Sequence, residues 1–386
     1  MQRYGAEKLQ IGYYASWRCY GCDAQGREPY LPSDIQAENL THINYAFAKI
    51  NDQLQIDHGD EFADVQKLFE LTGPDGSQRT YKGLIAMFNG ASSPVRERNV
   101  NIQVLIAIGG WLDSDKFSDA VATPQSRHRF AQSIAEFVVR YGFDGVDIDW
   151  EYPCVKGADK NKVSEHDGVN LTEFLAVLRQ HLTEVAARFQ RRRPYLITMA
   201  TSACEWSYKH LQLDRLRDVL DWCNIMCYDA SGPWSKEIGH HAPLVPLITN
   251  AVQEYILRGM PPEKLCIGIP LYGRAFAQVE QPVIGCKFGS IPEHDGIVDH
   301  DALIAEIHTY QQQIHEQAGG ATSFWHPHKK MWVSAETIHS VARKADWIRD
   351  NRLAGVFFWE LSMDRNAVIA RVIRERFNSG SRFRLR

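Results

Sequence analysis

Asp147, Asp149 and Glu151 occupy alternate positions in the run Phe143-Asp-Gly-Val-Asp-Ile-Asp-Trp-Glu-Tyr-Pro153. In a β-strand alternate side chains share a face, so this spacing sends three carboxyls one way and Val146, Ile148 and Trp150 the other. Three like charges on one strand repel, and folding alone gives no reason for them. Crowding pushes carboxyl proton affinities up and apart, which is how an enzyme keeps one carboxyl protonated near neutral pH as a general acid. A metal site or an exposed edge strand would also use acidic residues, but the interleaved residues are too apolar for an edge.

Short apolar runs at 11–17, 42–50, 103–109, 142–149, 196–202, 223–229, 264–270 and 355–360 supply the elements that could position such a ladder. They are near-continuous in Val, Ile, Leu and Phe, as parallel strands covered on both faces require. Helix-like stretches at 126–141, 170–191, 246–258 and 335–351 alternate with them, and Phe174, Leu175, Leu178 and Leu182 form one apolar stripe. Strands alternating with helices in this way predict a (β/α)8 TIM barrel, which needs about 250 residues in its bare form. The surplus falls at 51–101, with a turn signal at Gly73-Pro-Asp-Gly76, and at 277–333, where the one long helical pattern is 301–317. The division expected is therefore a catalytic barrel of residues 1–276 and 334–386, with a small α+β insertion at 277–333 between strand seven and helix seven. Active sites of such barrels form at the C-terminal ends of the strands. Tyr13, Trp17, Trp111, Met226, Tyr228, Asp229, Arg274 and Trp359 fall at those ends. An acidic centre ringed by flat aromatic rings suits a carbohydrate.

The net charge of −4 argues against nucleic acid as the main partner, since phosphate backbones need a basic footprint. No apolar run approaches the roughly 20 residues of a membrane span. The Met1-Gln-Arg-Tyr-Gly start lacks the apolar core of a secretory signal. Among eight cysteines, Cys19 and Cys22 have redox or half-zinc spacing, without a second pair to complete a metal site. Cys223, Cys227 and Cys266 read as core thiols. A Cys19–Cys22 disulfide, or one using Cys154, Cys204 or Cys286, stays open. His240, His241, His326 and His328 read as surface or loop residues, and no metal or organic cofactor is expected. The Arg382, Arg384 and Arg386 tail reads as a frayed end.

The acidic ladder fits Asp-Gly-x-Asp-x-Asp-x-Glu, and with it the chain resembles the family 18 glycoside hydrolases, the chitinases. Gly12-Tyr-Tyr-Ala-Ser-Trp17, Asn44-Tyr-Ala-Phe47 and Ile108-Gly-Gly-Trp111 look like that family's first three strands. Met226-Cys-Tyr-Asp229, Gly268-Ile-Pro-Leu-Tyr-Gly-Arg274 and Val356-Phe-Phe-Trp-Glu360 are similar to strands six to eight. The resemblance implies a retaining mechanism in which Glu151 is the general acid and base and the substrate's own N-acetyl group is the nucleophile. It implies that Asp149 orients the acetamide, Asp147 sits beneath it, and Tyr228 positions the acetyl oxygen. Met226 would pack under the acetyl group, Asp229 would meet the sugar or acetamide, and Trp359 would floor the reacting ring. Tyr13, Tyr152 and Arg274 match positions lining that subsite, and Trp17, Trp111 and Trp234 would be platforms for further sugars. The expected partner is chitin or chitooligosaccharides, with no nucleic acid and no membrane. The chain is expected to be a monomer or a component of a larger assembly, and to act outside the cell although no signal is visible. The short insertion, ending in Met331-Trp-Val-Ser334, favours an open, endo-acting groove. A non-catalytic lectin on the same barrel and an endo-β-N-acetylglucosaminidase acting on N-glycans remain as alternatives.

Overall fold

A computed structural model describes residues 7–21, 27–73 and 76–379. Cys22, residues 74–75 of the 73–76 turn signal, and the arginine tail lie outside the described residues. The strands of the main sheet are β1 (Leu9–Ala15), β2 (His42–Ile50), β3 (Gln103–Gly109), β4 (Gly145–Asp149), β5 (Leu196–Ser202), β6 (Trp222–Met226), β7 (Leu265–Pro270) and β8 (Gly355–Trp359). Their order in the sheet is β1-β8-β7-β6-β5-β4-β3-β2, and β1 also pairs with β2. The fold is thus the (β/α)8 barrel expected. A short ninth strand, Ile56–His58, runs antiparallel to β2.

By internal contacts the chain forms two compact units, one of Ile11–Cys223 with Arg258–Met260, the other of Met1–Gln10, Asn224–Leu257 and Pro261–Arg386. In the first, β1 to β4 pair in parallel in the register Tyr13↔Asn44, Asn44↔Leu105 and Ala107↔Asp147, and Asp147 continues to Thr198 on β5. Helix α1 (Pro124–Tyr141) begins where the Thr123 hydroxyl accepts the Ser126 N–H, and ends at Gly142, whose φ of 70° suits glycine. Helix α2 (Asp167–Arg188) buries the predicted Phe174, Leu175, Leu178 and Leu182 stripe, and Phe174 stacks on Phe130 of α1 at 5.0 Å. At the start of β4, Asp144 accepts the Val104 N–H at 2.9 Å and Arg96 and Arg191 at 3.1 and 2.6 Å. That aspartate of the signature run fastens the strand's entry. The glycine after it allows a close approach, since a Cβ on Gly145 would lie 2.3 Å from the Leu196 carbonyl oxygen.

In the second unit β7 and β8 pair in parallel, Ile267 beside Val356 and Pro270 beside Trp359. A five-stranded antiparallel sheet follows, in the order Ile297–Asp299, Tyr272–Phe276, Met331–Ala335, Ala321–His326, Gln311–His315. One of its faces buries Ala275, Leu303, Phe324, Val333 and Ala335, and Phe276, Val279 and Trp332 pack with Ile238. This sheet begins before residue 277 and runs past 333, because Tyr272–Phe276 and Met331–Ala335 are its own central strands.

Several local expectations need correction. The 301–317 pattern is not one helix: His300–Ala305 is helical, and Gln311–His315 is an edge strand paired with Ala321–His326 across Gly319 and Gly320, both at positive φ. Strand six stops at Met226 instead of 229, since the chain leaves the extended conformation and Asp229 takes a φ of 59°. Trp17 lies in a helical turn, Ser16–Cys19, past the end of β1. Helix α3 (Thr249–Leu257) continues directly from a π-helical segment, Leu244–Ile248, so the 246–258 pattern is helical nearly throughout, whereas helix α4 (Ile338–Asp350) is shorter than its pattern and starts at the Thr337 cap. Cys154, Cys204 and Cys286 are unbridged, as is Cys19. His241 and His326 are buried and not surface residues.

Candidate active site

The first unit carries the acidic ladder, with the parity read from sequence. Val146, Ile148 and Trp150 are buried, and Trp150 stacks on Phe117 at 5.2 Å. Asp147 is fully buried with both oxygens engaged: Oδ2 accepts the Tyr13 hydroxyl at 2.6 Å and Oδ1 the Thr198 hydroxyl at 2.5 Å. Tyr13 is 1% exposed, with its hydroxyl engaged by the ladder. Its own proton is held firmly by burial and by the neighbouring Asp147 and Asp149 charges.

Asp149 differs from Asp147. It is buried, yet its Oδ1 accepts no hydrogen bond among the described residues. An orphaned acceptor in a low-dielectric place is costly, and native structures keep few of them. Burial, then Glu151, then Asp147 push its carboxyl well above the ordinary range. The Asp149 carboxyl therefore combines a raised proton affinity with a free acceptor oxygen.

Glu151 is half-buried and lies past the end of β4. Its backbone is tied on both sides: its N–H donates to Ser114 Oγ at 3.0 Å, and its carbonyl accepts from Asn161 Nδ2 at 2.8 Å. Ser114 in turn donates to the Gly110 carbonyl at 2.8 Å, and the Gly110 N–H reaches the Asp149 carbonyl at 2.7 Å. Gly110 has a φ of 76°, and a Cβ there would stand 2.6 Å from the Phe47 ring. The Ile108-Gly-Gly-Trp111 run thus serves as a bracket for the Glu151 backbone as well as carrying an aromatic.

Around this centre Trp17 and Trp111 are about half exposed, at 50% and 51%, and Trp17 stacks on Phe47 at 6.2 Å. Tyr152 meets Trp206 edge-on at 5.0 Å. Thr198, Ser114, Asn161 and Trp206 were not singled out from sequence. Only Thr198 carried a usable signal, as a polar residue inside the apolar run 196–202.

The second unit holds a separate polar cluster. Asp229 pairs with Arg274 through two bonds of 2.8 and 2.9 Å and accepts the Tyr272 hydroxyl at 2.8 Å. His241 Nδ1 lies 3.8 Å from the same carboxylate. Burial alone would raise the Asp229 proton affinity, but His241 and Arg274 outweigh it, and Asp229 stays ionised well below the usual carboxylate range. Burial pushes His241 toward its neutral form. Arg274 is only 7% exposed and packs over the Trp234 ring at 5.1 Å, leaving Trp234 60% exposed. Arg274 thus braces Asp229 and backs an open indole. Met226, Tyr228 and Trp359 are half-buried, with Tyr228 edge-on to Tyr272 and Phe357. Tyr272 was not singled out from sequence, although it sits inside the 268–274 run, and His241 was read there only as a surface or loop residue.

The family model for the glycosyl hydrolases family 18 matches residues 10–364. Chitinase 1 of Aphanocladium album is 32% identical over 379 residues, covering 94% of this chain and 84% of that protein. Chitinase A1 of Niallia circulans is 30% identical over 414 residues, and the match spans 93% of this chain and 57% of that relative's length. The catalytic domain of psychrophilic chitinase B from Arthrobacter TAD20 superposes with a TM-score of 0.85 at 25% identity, over 96% of this chain and 95% of that one. Sequence signature, barrel and relatives converge, and the chain belongs to the glycosyl hydrolases of family 18.

Proposed function

We propose that the protein is a retaining chitinase that cleaves β-1,4-linked N-acetylglucosamine chains by substrate-assisted catalysis. Glu151 donates its proton to the glycosidic oxygen as the bond to the anomeric carbon breaks. The carbonyl oxygen of that same sugar's own N-acetyl group attacks the carbon, forming a cyclic oxazolinium ion. The Glu151 carboxylate then takes a proton from water, which attacks the same carbon and reopens the ring with net retention.

The observation that carries this reading is Asp149, buried beside Glu151 with a raised proton affinity and an unpartnered Oδ1. The free Oδ1 is suited to accept an acetamide N–H, and in its ionised form the carboxyl would offset the positive charge that develops. Asp147, pinned by Tyr13 and Thr198, cannot turn away to do so and is assigned to orient Asp149. Tyr228 is assigned to the acetyl oxygen, and Met226 and Trp359 to the apolar side of the reacting sugar. Tyr152, Trp17, Trp111 and Trp234, with exposed or half-exposed rings, are assigned to sugar stacking. Asp229 and Arg274 act as a braced pair, with Arg274 packed against Trp234. An open, endo-acting groove is part of the proposal, with the segment from Tyr272 to Ala335 that holds the five-stranded sheet as an insertion subdomain. A polymeric substrate found outside cells points to an extracellular place of action.

Reducing-end assays on chitotetraose test the assignment. Glu151→Gln should lose about 10²–10⁴-fold in turnover, the range general acid–base groups supply, while oligosaccharide binding persists. Asp149→Asn should also lose most activity. Near-wild-type turnover in Glu151→Gln, or binding without hydrolysis in the wild type, would sink the reading, the second outcome pointing to a lectin.

A further inference from the structure

His300, Asp301 and Asp364 bring three metal-ligating atoms within 4.8 Å of one another, all in the second unit. His300 opens the short helix His300–Ala305, and Asp364 follows the turn Leu361–Met363 after β8. His300 is 5% exposed, and its Nδ1 has no hydrogen-bond partner. That nitrogen lies 4.0 Å from Asp301 Oδ1 and 3.9 Å from Asp364 Oδ1. These gaps are too long for hydrogen bonds, so neither carboxylate satisfies the ring.

Both carboxylates are meanwhile held in place. Asp364 accepts the Val368 and Ile369 N–H groups at 2.9 and 2.8 Å as it starts helix α5 (Val368–Asn378), and Asp301 Oδ2 accepts the Arg365 N–H at 2.8 Å. Two fixed acidic oxygens and an orphaned imidazole nitrogen aimed between them lack one positive centre. We propose that this cluster is a structural site for a divalent transition cation, Zn²⁺ or Mn²⁺. One imidazole with two carboxylates suits those ions better than Ca²⁺, which takes oxygen ligands. Ligand bonds of about 2.0–2.2 Å require the three atoms to close in by a few tenths of an ångström each. The ion would clamp the helix His300–Ala305 to the turn that follows Trp359 and Glu360.

The test is equilibrium dialysis and thermal melting of tag-free protein with Zn²⁺, Mn²⁺ and Ca²⁺ in turn. His128 Nδ1 and His181 Nε2, 3.4 Å apart and solvent-accessible, form a competing chelate, so H128A is the control. The proposal expects one tightly bound Zn²⁺ or Mn²⁺ per chain, with a Tm that climbs with cation concentration in wild type and H128A. In H300A and D301N that binding should fall at least about tenfold and the melting response flatten. Asp364 is left intact because it caps a helix. No stoichiometric uptake, uptake of Ca²⁺ alone, uptake undiminished in H300A, or uptake abolished by H128A would each overturn it.

Discussion

Each of the three ladder carboxyls has a different environment, and the differences decide their work. Asp147 has both oxygens engaged, Asp149 has one free, and Glu151 reaches beyond the strand on a tethered backbone. The Asp149 shift carries a sign that can be measured. Its folded-state proton affinity is raised, so the folded chain holds a proton that the unfolded chain releases above the ordinary value of about 3.9. The contribution is fully favourable below that value and is lost as pH rises toward the raised one. Asp149→Asn removes the effect, so its Tm advantage over wild type should grow between about pH 4 and 7. A Tm difference that stays flat with pH in parallel melts would contradict the shift. Parity alone made the ladder and the core place of Trp150 legible in the sequence. The partners of Asp147 were not, because Thr198 is 51 residues away and reaches it only through strand pairing.

The bodies of the strands were readable in the sequence, since buried parallel strands leave continuous apolar runs. Their ends were harder to read. Where β6 turns at Asp229, or where β1 gives way to the turn holding Trp17, side-chain chemistry and positive φ decide, and periodicity does not record them. The insertion was the weakest reading. Gln311–His315 is polar and exposed, so its strand character comes from pairing with Ala321–His326 and not from its own pattern. The Asp229–Arg274 pair shows what an element tip costs when broken. Arg274 is nearly buried, and Asp229→Ala would strand its charge. Urea unfolding of that variant should show a loss of about 3 kcal/mol, the lower end for a broken buried pair, since Asp229 itself is partly exposed. A change below about 0.5 kcal/mol would show the pair to be no more than a surface contact.

Across the whole chain, the match to residues 10–364 shows a glycosyl hydrolase of family 18, and among the described residues no helix is long and apolar enough to cross a membrane. What the family leaves to be tested is the chemistry. If the acetamide is the nucleophile, a glucose oligomer of equal length offers none. The protein should then cut cello-oligosaccharides at no detectable rate while cutting N-acetylated ones, as product chromatography would show. Comparable rates on both would mean that a protein carboxylate attacks instead. The most direct test of the central claim is the anomeric configuration of the first products from N-acetylglucosamine hexasaccharide, followed by proton NMR before mutarotation. The account predicts β-anomers at the newly formed reducing ends. Initial α-anomers would contradict it, because direct attack by water on the far face of the sugar needs no acetamide and no unpartnered Asp149.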